Sequence, residues 1–175
     1  MKKFLCLLLL LVFIPPSGAQ DTQAQTGNLY SQHDGINSFW IRFFEASDAG
    51  DNEAAVALYT TDAAILGPHQ PPIVGHQQLT KHFSEYRPYV KLVVGEFEEL
   101  SVIEADNVVI VFYVATGHYL VKKTGEQVPF DNKYIDIFRY VDGRWLMATH
   151  MFSGNTSEMG LYDGNWRNRP GIGDN

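Results

Sequence analysis

The sequence predicts an α+β fold, with three N-terminal helices packed on a curved antiparallel sheet. Three observations predict it. Between Asp34 and Ala49, Ile36, Phe39, Trp40, Phe43 and Phe44 recur at helical spacing. From Tyr89 onward the period falls to two, over four successive apolar runs. Asp142-Gly143 between the last two runs is a strong hairpin signal. Helices gathered ahead of consecutive strands exclude an alternating parallel sheet.

The chain has 175 residues and one cysteine, Cys6. It opens on Lys2 and Lys3, then an unbroken apolar run from Phe4 to Ile14. Pro15 and Pro16 break that run, and Ser17-Gly18-Ala19 supplies small residues before Gln20. This order predicts a cleavable secretory signal peptide over residues 1–19 and an exported protein, periplasmic or secreted. The run is too short for a membrane span, which needs about 20 apolar residues. Removing 19 of the 175 residues leaves 156, enough for one domain with a real core. It also removes the only cysteine, so disulfides, thiol nucleophiles and thiolate metal sites are excluded. The full chain carries 13 basic and 20 acidic side chains, a net charge of −7. Such a chain repels nucleic acid and, after cleavage, anionic membrane surfaces.

Residues 20–33 are polar and read as a flexible leader. Asp34 suits the N-cap of the first helix, Gly50 ends it, and Asp51 caps a short second helix through Leu58. Thr60-Thr61-Asp62 reads as a turn, with a short strand over Ala64 to Leu66. Pro68, Pro71 and Pro72 forbid regular structure around them. A third helix follows Gly75, with Leu79, His82, Phe83 and Tyr86 on one face. Tyr89 to Ile103 then alternates. Val108 to Val121 is so apolar that it reads as a strand covered on both faces. Pro129 to Tyr140 and Arg144 to Phe152 complete the sheet, and residues 154–175 form a Gly-, Asn- and Asp-rich tail.

The run Ala57-Leu58-Tyr59-Thr60-Thr61-Asp62-Ala63-Ala64 resembles the segment after the second helix in SnoaL-like domains. Pro71-Pro72-Ile73-Val74-Gly75 resembles their next loop, and Asp142-Gly143-Arg144-Trp145 their last hairpin. The resemblance covers roughly residues 34 to 153. It implies the nuclear transport factor 2-like fold, a cone-shaped α+β barrel whose helices close an apolar cavity, in a branch of mostly unassigned function.

Alternation puts Tyr134, Asp136, Phe138 and Tyr140 on one strand face and Ile135, Ile137 and Arg139 on the other. On the last strand Ala148, His150 and Phe152 share a face, with Trp145, Met147 and Thr149 opposite. Resemblance to the more distant ketosteroid isomerases places Asp136 where they carry an oxyanion-binding acid, and His150 beside it. Their catalytic base corresponds to Gly67, and their helical tyrosine to Phe43 or Phe44, so two of the three isomerase groups are missing. The expected catalytic pair is therefore Asp136 and His150. A carboxyl in an apolar cavity is pushed toward its neutral form and can donate, while an imidazole serves as base. Trp40, Phe43, Phe44, Tyr59, Tyr134, Phe138 and Phe152 are expected to line the site. No metal-ligand spacing or phosphate loop occurs, so neither metal nor cofactor is expected.

Three functional readings follow. The domain binds a small apolar or aromatic ligand; or it is a cofactor-free isomerase, cyclase or hydrolase; or it is an interaction domain with a filled pocket. The Asp136–His150 pair equally suits a structural role, each satisfying the other. Ile135, Ile137, Trp145 and Met147 would form an apolar outer sheet face, which predicts a homodimer.

Overall fold

The computed structural model describes residues 30–155 together with Pro170 and Ile172. The expected signal peptide, the first ten residues of the expected leader and most of the C-terminal tail lie outside the described residues. Three helices, α1 (Asp34–Ala49), α2 (Asn52–Val56) and α3 (Gly75–Tyr86), pack on six strands. These are β1 (Tyr59–Leu66), β2 (Ile73–Val74), β3 (Val90–Ala105), β4 (Val108–Val121), β5 (Gln127–Val141) and β6 (Arg144–Gly154). The sheet order is β2-β1-β6-β5-β4-β3, antiparallel throughout except where β1 runs parallel to β6.

Local chemistry sets the helix ends. The N-cap of α1 is His33 rather than Asp34: its Nδ1 accepts from the backbone N–H of Gly35 at 3.2 Å and of Ile36 at 3.3 Å. Gly50 closes α1 at φ 70°, a left-handed conformation that glycine takes without a Cβ penalty. Asp51 caps α2 through Ala54 N–H at 2.8 Å.

Three bulges along the antiparallel pairs bend the sheet around the helices. Gly95 and Leu100 are the unpaired residues of β3 against β4, and Ala148 is that of β6 against β5. Each leaves two residues opposite one and increases local twist. The core fills the resulting concave side, with Ile36, Phe39, Leu79, Phe138, Met147 and Val121 almost wholly buried.

Several expectations change. Thr60-Thr61-Asp62 lies inside β1 rather than in a turn, in the irregular stretch of its pairing with β6 between Tyr59, opposite Met147, and Ala64, opposite Thr149. β4 is not covered on both faces: Val109, Val111, Tyr113 and Ala115 are buried, while Val108, Ile110, Phe112 and Val114 between them are half-buried. The Ala148 bulge shifts the alternation of β6, so Met147 faces Phe138 in the core and leaves the outer face. Tyr30 and Ser31, expected in the flexible leader, are buried. Tyr30 N–H donates to Asn37 Oδ1 at 2.9 Å, and Ser31 Oγ donates to Glu99 Oε2 at 2.6 Å.

Candidate functional site

The concave face of the sheet and the inner faces of α1 and α3 enclose a cavity of about 820 Å³ of empty volume, counting the part open to solvent. Its walls follow from the helical period. Trp40, Phe43 and Phe44 come from one face of α1, and His82, Phe83 and Tyr86 from one face of α3. The floor is a row of rings on neighbouring strands. Phe97 on β3 stacks on Tyr113 of β4 at 4.6 Å, Tyr113 on Tyr134 of β5 at 4.5 Å and 4°, and Tyr134 on Phe152 of β6 at 5.9 Å. Tyr113 and Tyr134 are direct register partners, as are Tyr134 and Phe152, so strand pairing builds the row. Arg87 backs one wall: its guanidinium lies over Phe83 at 4.1 Å and Phe43 at 5.2 Å, and Nη1 donates to Asn52 Oδ1.

One polar chain crosses this apolar floor. Asp136 and His150 are register partners on β5 and β6, and His150 Nδ1 lies 2.8 Å from Asp136 Oδ1. Tyr113 donates from its hydroxyl to Asp136 Oδ2 at 2.8 Å. Asp136 is fully buried, whereas the His150 side chain keeps 17% of its exposure and lines the cavity. With Nδ1 committed to the carboxylate, Nε2 is the ring nitrogen left for a ligand. Burial, and then the Asp136 charge beside it, push the Tyr113 phenol well above its ordinary value, so its proton stays in place. A second, shorter link runs from buried Asn132, whose Nδ2 donates to the Tyr134 hydroxyl at 3.1 Å.

The sequence-expected residues divide in three. Trp40, Phe43, Phe44, Tyr59, Tyr134, Phe152 and His150 all line the cavity. Asp136 sits beneath that surface and meets the cavity through His150 and Tyr113. Phe138 does not line it; it is wholly buried against Phe39, ring centres 5.1 Å apart, beneath the start of α1. Its face is right but its depth is wrong, because the helix covers that end of β5.

Tyr113 is the residue that sequence reasoning missed. Inside an apolar run it reads as one more buried aromatic. The available signal was that it stands alone as a polar side chain in the inward row Val109, Val111, Tyr113, Ala115. Tyr30, Tyr119, Phe97 and Phe130 also line the cavity without having been expected there. Among the described residues, no group of three or more His, Cys, Asp or Glu side chains is placed to hold a metal ion.

Comparison with known proteins agrees with this architecture. The family model of the SnoaL-like domain matches residues 40–147. No curated protein matches the sequence. A ketosteroid isomerase-like protein from Erwinia carotovora atroseptica SCRI1043 superposes with a TM-score of 0.59 at 23% identity, over 70% of this chain and 95% of that one. A conserved protein from Planctomyces limnophilus DSM 3776 gives 0.60 at 16% identity, over 69% and 94%. A nuclear transport factor 2-like protein with a cystatin-like fold from Novosphingobium aromaticivorans gives 0.58 at 13%, over 70% and 81%. At these identities the likeness speaks for the fold alone. Because the family match spans more than half of the chain, this protein belongs to the SnoaL-like domain family.

Proposed function

We propose that this domain binds a small apolar or aromatic molecule in the cavity, and that His150 moves a proton on it without a cofactor. The observation that carries the reading is the 2.8 Å contact between His150 Nδ1 and Asp136 Oδ1 at the floor of an aromatic cavity. Asp136 as a carboxylate accepts from Nδ1–H on one oxygen and from Tyr113 on the other. This reading takes Asp136 as the acceptor toward both partners, in place of a neutral Asp136 acting as proton donor. It fixes the tautomer in which the Nε2 lone pair faces the ligand. His150 Nε2 then takes a proton from a carbon next to a carbonyl, or from water, and returns it at a second position. Asp136 stabilises the imidazolium formed in between. Isomerisation, cyclisation and hydrolysis all fit this step.

A second reading, binding without turnover, is favoured by Gly67. A Cβ at that position would lie 2.9 Å from Phe152 Cζ and 2.4 Å from Gln70 Nε2, so the side chain an isomerase places there has no room. Two further proposals complete the picture: export, supported by the order of charge, apolar run and small residues at the N-terminus, and homodimerisation through the outer sheet face.

Native mass spectrometry of the protein from its own host tests the whole reading. It is expected to show a chain beginning at Gln20 with a small organic molecule bound. Turnover of that molecule should fall at least about a hundredfold in His150→Ala and in Asp136→Asn. Unchanged turnover in both variants removes the catalytic reading. An absence of turnover in the unmodified protein leaves the binding one.

A further inference from the structure

We infer that Tyr113 is a positioning residue for His150, acting through Asp136; the inference rests on His150 as the group that faces the ligand. Asp136 is fully buried, and its two oxygens have different partners: Oδ1 meets His150 Nδ1 and Oδ2 accepts from the Tyr113 hydroxyl, each at 2.8 Å. A buried carboxylate oxygen without a donor carries a heavy desolvation cost. Tyr113 removes that cost on the side away from the histidine. It thereby keeps the carboxylate plane turned so that Oδ1 holds Nδ1–H.

The tyrosine is itself held. Its ring lies between Phe97 at 4.6 Å and Tyr134 at 4.5 Å, and Trp40 of α1 meets it edge-on at 6.2 Å. Tyr113 is 3% exposed, so water does not compete for the hydroxyl. Burial keeps the phenol protonated, which makes it a donor throughout the neutral range.

This arrangement makes the contact between Asp136 and His150 depend on the Tyr113 hydrogen bond. A carboxylate that spends one oxygen on a phenol has less negative charge to offer an imidazolium. Removing the phenol hydrogen bond should therefore stabilise the protonated histidine. The remaining titratable groups facing the cavity are Tyr30 ahead of α1, Tyr59 on β1, His82 and Tyr86 on α3, Tyr119 on β4 and Tyr134 on β5. Glu99 on β3 stands opposite Tyr113 in register but accepts from Ser31. Among the described residues no Lys or Arg lines the cavity, and the acidic group in contact with His150 is Asp136.

A core tyrosine with a satisfied hydroxyl would look similar in outline, so the test uses a readout that packing alone does not move. Nitrogen-15 NMR of the His150 ring in the mature protein reports tautomer and titration midpoint without any ligand. The unmodified protein should show the Nδ1–H tautomer. In Tyr113→Phe, which keeps the ring stack, the midpoint should rise by roughly 0.5 to 1 in pH. Fluorotyrosine at position 113, a stronger donor of nearly the same shape, should lower it, and this carries the test if Tyr113→Phe does not fold. In an Asp136→Asn background, Tyr113→Phe should have no effect on the midpoint. A titration that superimposes on that of the unmodified protein overturns the inference, as does a shift that persists in the Asp136→Asn background. These outcomes are separate from the catalytic reading: His150→Ala can leave turnover intact while the titration shift is present, and the reverse.

Discussion

Gly117 stands on β4 beneath the Phe130 ring, its register partner on β5. A Cβ there would lie 2.2 Å from the Val93 carbonyl oxygen and 2.8 Å from Phe130 Cζ. The carbonyl cannot retreat without opening the β3–β4 ladder next to the Gly95 bulge, and the ring is part of the cavity lining. Replacing glycine by alanine inside a strand ordinarily stabilises, because it restricts the unfolded chain. Here the collision should dominate. Gly117→Ala is expected to lower stability by about 1–3 kcal/mol, the usual cost of overpacking, seen as a lower urea midpoint with an unchanged slope. A raised midpoint would show that the backbone relaxes at no cost and that the close approach is not needed. At this scale the candidate site was half legible. His150 and Asp136 stand out in the sequence because a charged residue and an imidazole interrupt apolar strands. Tyr113 does not, because a tyrosine belongs equally to a core or a site until its hydroxyl partner is known.

Helix α1 carries the cavity's aromatic wall, so its entry angle matters to the site. His33 fixes that entry twice. Its Nδ1 accepts from Gly35 and Ile36, and its ring meets Trp145 of β6 edge-on at 5.1 Å. Gly35 allows the approach, since a Cβ there would lie 2.2 Å from Trp145 Cδ1. His33→Ala should cost about 1 kcal/mol through the lost cap, while His33→Asn, which also accepts at an N-cap, should recover most of it. Paired denaturation curves decide this: equal losses in the two variants would assign the effect to the ring contact instead of the cap. Element boundaries were legible where the period was clean. The bounds of β4 are those read from the sequence, whereas the alternation read over Tyr89 to Ile103 passed through Gly95 and Leu100 without showing the two β3 bulges. Pairings between distant segments were not legible. Thr60-Thr61-Asp62 has turn composition, and it lies within a strand because Tyr59 and Ala64 on either side of it pair with the remote β6. The Ala148 bulge has no Gly or Pro to announce it, so the true side of Met147 was hidden.

For the whole molecule, the open question is what covers the outer face of the sheet. Among the described residues no helix packs there, and the row is more apolar than the sequence suggested, though with different members. Met147 has moved into the core, and Trp145 is partly covered by His33 and Tyr140. In their place, the half-buried outer row of β4, with Ile110, Phe112 and Val114, continues into Ile135 and Ile137 of β5 and Met151 of β6. These are register neighbours: Phe112 opposes Ile135, Ile110 opposes Ile137, and Ile135 opposes Met151, so they form one contiguous patch. Ile135 and Met151 remain 36% and 46% exposed, which is costly for a face of this composition in water. A specific dimer interface needs roughly 800 Å² from each partner, and three adjacent strands are wide enough to supply it. Light scattering should therefore give twice the chain mass at micromolar concentration. Phe112→Glu and Ile135→Lys should each give a monomer with an unchanged circular dichroism spectrum, because both side chains point away from the core. A single-chain mass for the unmodified protein across a wide concentration range would sink the dimer. A dimer that survives both substitutions would move its interface to another face.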